Sequence, residues 1–165
     1  NLPASGITQA DTWRLTTSFT GNVNPMAGNW ERDDNTGWGK VGTGMSVDSS
    51  GHFAFPETGI YLIEYHMNCS LNGDSRSVYG YIMTTTNLSG GETTWINRAE
   101  ANSFIQQTQS NVTVASAKTA CILDVTNTSE CKVRFNAFGV NTSRTVNGNT
   151  SLNTTFVTFI RLGDT

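Results

Sequence analysis

Gly51-His52-Phe53-Ala54-Phe55-Pro56-Glu57-Thr58-Gly59-Ile60-Tyr61-Leu62-Ile63 decides the fold of this chain. It reads as a strand, a Pro/Gly turn and a second strand. Phe53 and Phe55 share one face of the first strand, and Tyr61, Ile63 and Tyr65 share one face of the second. Pro56 fixes φ in the turn, and Gly59 is free to take positive φ.

The same alternation runs outward in both directions. Trp13 to Phe19 alternates apolar and polar, as does Ile60 to Met67. Val78 to Met83, Asn111 to Ala115 and Cys121 to Val125 read as further strands. Cys131, Val133 and Phe135 align on the next, and Thr154 to Leu162 is the last. Turn clusters at Asn72-Gly73-Asp74, Asn87 to Gly91 and Asn147-Gly148-Asn149 separate them. Helical periodicity is nearly absent. Short strands at this spacing predict an all-β sandwich or barrel. The segment Gly21 to Gly44, with Pro25, Trp30 and Trp38, predicts long loops with a short strand pair.

The 165 residues fit one domain, residues 1–165, large enough for a core without staples. The chain starts at Asn1 without Met, which is expected of a piece cut from a longer protein. Charged residues are 14%, against roughly 25% in ordinary soluble domains. Net charge is −3 with no block of like charge, so no nucleic-acid partner is expected. No run approaches the roughly 18–20 apolar residues of a membrane span, so no membrane insertion is expected.

Two histidines, and no H-x-H or H-E-x-x-H spacing, argue against a metal centre. Loop oxygens could hold calcium, but no EF-hand-like spacing occurs, and neither metal nor cofactor is expected. No G-x-S-x-G is present, and no catalytic residue is assigned. Asp33-Asp34, beside a Trp pair, are the nearest approach to a glycosidase carboxylate pair, and such loop acids serve more often as solvated turn formers. Cys121 and Cys131 would lie on one face of neighbouring strands if one hairpin joined them. A disulfide is then open to them, and buried thiols are the alternative. Cys69 makes the count odd. Seven N-x-S/T triplets compare with about four expected from 17 Asn and 40 Ser plus Thr, so most read as composition.

The order G-x-F-x-x-P-x-x-G-x-Y across Gly51–Tyr61 resembles the signature of the C1q/TNF-like jelly roll. Ser151 to Ile160 resembles that family's closing strand, with Thr158 where Gly is usual. Leu123-Asp124-Val125 followed by Val133-Arg134-Phe135 resembles one of its hairpins. The resemblance covers roughly the last two-thirds of the chain. It implies an antiparallel ten-stranded jelly-roll sandwich and a non-catalytic homotrimeric binding head. Strand parity then puts Leu62, Glu64 and His66 on the outer face towards the threefold axis, with Val157 and Phe159 of the last strand and Arg134 beside them. Glu64 and Arg134 would pair across subunits. His66 would be either a pH switch at the axis or a solvated histidine.

Trp13-Arg14-Leu15-Thr16 and Gly39 to Met45 resemble phrases in virion proteins of marine bacteriophages. This adds the expectation of a recognition head on a phage or viral fibre, at the virion surface. Its ligand would be a cell-surface glycan or a protein receptor. Trp30 and Trp38 are candidate sugar-stacking platforms, or else lids on the open end of the sandwich, and Trp95 is a third candidate ligand-binding residue. A ligand-free trimerisation cap and a secreted animal-type C1q-domain protein are the alternatives.

Overall fold

The computed structural model describes residues 6–165. Its strands are β1 (Ala10–Leu15), β2 (Phe19–Thr20), β3 (Trp30–Arg32), β4 (Ser46–Val47), β5 (Phe53–Ala54) and β6 (Gly59–Leu71). They continue with β7 (Ser75–Thr85), β8 (Ile96–Ile105), β9 (Thr113–Val125), β10 (Lys132–Gly139), β11 (Thr145–Val146) and β12 (Phe156–Gly163). Two one-turn 3-10 helices, Leu88–Gly90 and Glu92–Thr94, are the only helical elements among the described residues.

Two antiparallel sheets make the sandwich. In the seven-stranded sheet β9 lies along one edge of β6, while β12 and then β11 line the other. Beyond β12 come β1 and β3, and β2 flanks β11. The second sheet runs β4-β5-β10-β7-β8. Seven and five strands form the two layers among the described residues, four of them (β2, β4, β5 and β11) only two residues long, so the expected antiparallel jelly-roll sandwich carries twelve strands rather than ten.

The Gly51–Ile63 segment crosses between the layers. Phe53 and Phe55 descend from the smaller sheet, and Tyr61, Ile63 and Tyr65 rise from the larger; all five are 3% exposed or less. Gly59 holds φ +141, and a Cβ there would stand 2.6 Å from the Gly163 carbonyl oxygen. The Tyr61 hydroxyl donates to the Glu57 carbonyl at 3.0 Å, closing the turn. Phe53 packs against Trp13, Trp30, Phe135 and Phe159 with ring centroids 5.3–5.6 Å apart, and this aromatic knot joins the layers. Gly80 gives the larger sheet room: a Cβ would lie 2.8 Å from Tyr65 Cε1.

Several expectations need correction. The last strand has the opposite parity. In register Phe159 faces Ile63 and Val157 faces Tyr65, so both follow those partners into the core, at 1% and 0% exposure. Phe156, Thr158 and Ile160 face outward instead. The run Phe156-Val157-Thr158-Phe159-Ile160 is apolar on both parities, and only its neighbours on β6 decide which side is buried. Arg134 lies on β10, in the other sheet, and cannot stand beside Leu62 or pair with Glu64 on one face.

Cys121 and Cys131 are likewise separated. The turn after β9, closed by the Cys131 N–H donating to the Asn127 carbonyl at 2.8 Å, carries the chain across the sandwich, so β9 and β10 are not a hairpin. All three cysteines are free. The segments read as Asn111–Ala115 and Cys121–Val125 belong to one 13-residue strand, β9. The strand expected over Trp13–Phe19 ends at Leu15. β8 gave no clear alternation, having one outer edge and a mainly polar sequence.

Candidate functional site

The outer face of the larger sheet is built in three registered rows across β1, β12, β6 and β9. Ala10, Ile160, Leu62 and Ile122 form an apolar row, in which Ile122 is 64% exposed. Thr12, Thr158, Glu64 and Ala120 form the middle row. Arg14, Phe156, His66 and Lys118 form the third. Leu62, Glu64 and His66 therefore sit on the outer face as expected, while Val157, Phe159 and Arg134 do not.

Charge on this face is locally matched. Glu64 pairs with Lys118 at 2.8 Å, rather than with Arg134. His66 stacks on Phe156 with centroids 5.1 Å apart. Burial first, and then the Lys118 charge, hold its pKa below the ordinary value. Arg14 is fully buried at the edge of the face. Its guanidinium donates to Asp33 at 2.9 Å, Asp34 at 2.7 Å and Glu31 at 3.1 Å. Asp33 and Asp34 are thus both ion-pair partners of one arginine, Asp33 with its side chain buried (5% exposed) and Asp34 with its side chain still 70% exposed.

A second buried ion pair fixes the Gly39–Met45 loop. Asp11, 3% exposed, accepts from Arg32 at 2.9 Å, from the Trp13 indole at 2.9 Å and from the Met45 N–H at 2.8 Å. The Trp13–Thr16 and Gly39–Met45 segments therefore meet: Trp13 from the first and Met45 from the second share one carboxylate.

The tryptophans separate into three environments. Trp30 is a core residue, 9% exposed, whose indole donates to the Met26 carbonyl at 2.9 Å. Trp95 is 7% exposed, covered by the Arg134 guanidinium at 4.3 Å and by His52 at 4.8 Å. Both faces of a sugar platform are denied to them. Trp38 is 61% exposed and alone among the three presents an open ring. Arg134 also donates to Glu92 at 2.8 Å, so it locks the Trp95 loop onto the smaller sheet.

The outer face of the smaller sheet carries a feature that the sequence reading did not pick out. Register sets Phe138 beside Tyr79, Asn136 beside Tyr81 and Arg134 beside Met83, with Asn102, Glu100 and Asn97 completing those rows on β8. Tyr81 stacks near Tyr79 (6.2 Å) and meets Phe138 edge-on (5.9 Å). The segment before β3 is bonded to β10, with Val23 and Ala137 exchanging N–H donors at 2.9 and 3.1 Å, which brings Asn24 alongside. Asn24, Tyr81, Met83, Asn97, Asn136 and Phe138 line a cleft of about 320 Å³. Burial, and then a hydrogen bond to Glu100, push the Tyr81 hydroxyl above its usual pKa. The available signal was aromatics on the solvent parity: Tyr79 and Tyr81 flank Gly80, whose own position faces the core.

No protein-family model and no curated protein matches the sequence. Solved structures do. Eiger TNF from S. frugiperda aligns over 94% of this chain and 93% of its own, with TM-score 0.65 and 14% identity. Murine APRIL at pH 8.5 aligns over 93% and 98%, with TM-score 0.61 and 12% identity. Murine APRIL at pH 5.0 covers the same shares with TM-score 0.63 and 10% identity. The likeness is one of fold, a TNF-type antiparallel jelly roll.

Proposed function

We propose that this domain is the non-catalytic, homotrimeric recognition head of a virion fibre or tail protein, directed at a cell-surface ligand and most readily a glycan. The observation that carries the assembly is the apolar row Ala10, Ile160, Leu62 and Ile122 on the outer face of the larger sheet. Burying such a row against copies of itself removes apolar area from water, at about 25 cal/mol per Å². The TNF-type fold supports the same assembly, because trimers and receptor binding accompany it in the C1q/TNF-like class. A non-catalytic role is supported by Asp33 and Asp34, whose charge is committed to Arg14. The virion setting, at the particle surface, rests on the two phrases that converge on Asp11 and on the Asn/Thr/Ser-rich, Lys-poor surface.

Light scattering tests the reading. The expected mass is three times the 17.9 kDa of the chain. Leu62→Asp should reduce it to that of a monomer with the strand content unchanged in circular dichroism. A monomeric wild type would overturn the assembly and leave a lone β-sandwich binder.

A further inference from the structure

We infer that the cleft on the outer face of the smaller sheet is a binding site for an uncharged sugar ring, held between Tyr81 and Phe138 and read by Asn24, Asn97 and Asn136. This deepens the recognition reading above and rests on it for its biological sense, but its evidence is separate.

Asn136 carries the argument. It is 2% exposed and lines the cleft. Its amide nitrogen donates to the Met83 sulfur at 2.8 Å, a weak acceptor. Its Oδ1 is buried with no partner. Native proteins seldom leave a buried carbonyl unpaired, and such groups mark a missing donor. The Asn136 main chain is held in place, its carbonyl accepting from the Tyr65 hydroxyl at 3.2 Å from the opposite layer. A guest O–H entering the cleft would complete the acceptor.

The rest of the lining selects the guest. Asn24 and Asn97 each offer a carboxamide, which can donate to and accept from neighbouring hydroxyls on one ring. Tyr81 and Phe138 meet at 70° and supply apolar walls for the C–H faces of that ring. None of the six lining residues is a cation or a carboxylate, so nothing there repays the desolvation of a charged ligand. A fully apolar guest would leave three amides unpaired. About 320 Å³ is at the small end of the roughly 300–1,000 Å³ typical of ligand clefts, suited to a terminal sugar rather than a buried polymer. A neighbouring cleft of about 230 Å³ shares Tyr81 and Asn97 and adds Arg98 and Glu100, giving a second ring somewhere to lie. The face points away from the Leu62 row, on the other side of the sandwich, so it remains open when that row is covered.

Saturation-transfer NMR on the full chain tests the site. The probes are the methyl glycosides of glucose, galactose, mannose, fucose, N-acetylglucosamine and N-acetylgalactosamine, with glucuronate as the charged control. At least one neutral glycoside should take up saturation, at least fivefold more than glucuronate. Tyr81→Ala and Asn97→Ala should each weaken its binding tenfold or more. Asn97 is exposed, so its variant reads the site even if Tyr81→Ala fails to fold. No transfer to any glycoside, or transfer unchanged in both variants, would overturn the proposal and leave the cleft to water. Light scattering on the same samples separates the two readings. A monomer that binds sugar keeps the cleft and refutes the trimer, whereas a trimer that binds none refutes the cleft alone.

Discussion

Phe159 and Ile160 are adjacent in sequence and should respond to substitution in opposite ways. Phe159 is 1% exposed, with ring centroids 5.3 Å from Phe53, 6.1 Å from Phe135 and 6.4 Å from Phe55. Phe159→Ala removes the transfer energy of the ring and leaves a cavity in a knot that joins both sheets. Such truncations cost about 3–5 kcal/mol, and the loss of three aromatic contacts favours the upper end. That is a fifth or more of the roughly 5–15 kcal/mol by which a domain is stable. At about 2–4 °C per kcal/mol for a chain of this size, Tm should fall by roughly 6–20 °C. The mass in solution should not change. Ile160→Asp reverses the pattern. It adds a carboxylate to the outer apolar row, so the proposed trimer should dissociate while the monomer stays folded. Circular dichroism melts at one fixed protein concentration, paired with light scattering, give both readouts. Fixed concentration matters because dissociation alone shifts an apparent Tm. A Phe159→Ala melt within about 3 °C of wild type would refute the parity assignment. So would a loss of mass in Phe159→Ala together with an intact trimer in Ile160→Asp.

Two other perturbations test the outer face of the larger sheet. Arg14→Met should lower stability by about 3–5 kcal/mol, because Asp33, with its side chain 5% exposed, is left without its cation. The double variant Arg14→Met/Asp33→Asn should recover a good part of this in urea unfolding, and no recovery would show that the pair is not the source. His66 has a pKa below the 6.5 of an unfolded histidine, so the native state binds fewer protons than the unfolded chain. Its effect on stability is absent well above pH 6.5, and stability is lost as pH falls through 6.5 and below. Lys118→Ala removes the second cause and frees Glu64 from its ion pair, so the His66 pKa should rise towards 6.5 while burial keeps the rise partial. With Arg14 tied to its acids, Lys118 and Glu64 are the charges that matter across the rows. An NMR titration in which the value stays put or falls would contradict this.

Strand alternation was enough to identify an all-β sandwich or barrel, because a strand buried on one face writes period two into its residues. The inward Tyr61, Ile63 and Tyr65, and the outward Leu62, Glu64 and His66, were legible for that reason. The jelly-roll type came from the resemblance of the Gly51–Tyr61 motif to the C1q/TNF-like signature. Period two is silent where both parities are apolar, so the facing of Val157 and Phe159 came only from the register of β12 on β6. It is equally silent about which sheet a strand joins. Arg134 and Cys131 left their expected neighbours because the turn after β9 crosses the sandwich, a matter of long-range pairing. The sequence left Trp30 open between platform and lid and offered Trp95 as a platform, and their burial depends on Phe53, Arg134 and His52, all distant in the chain.

The cleft proposed for a sugar shows the same division. Its amides and aromatics come from the loop before β3 and from β7, β8 and β10, and no local pattern of residues relates them. The sequence by itself determined which residues alternate, where the chain turns and which strands have a core face, since those follow from local backbone geometry and side-chain polarity. Only the tertiary structure decided which strands are neighbours, which apolar face is hidden, and that Asn136 is buried with an acceptor still unpaired, since each depends on contacts between segments that the chain brings together only on folding.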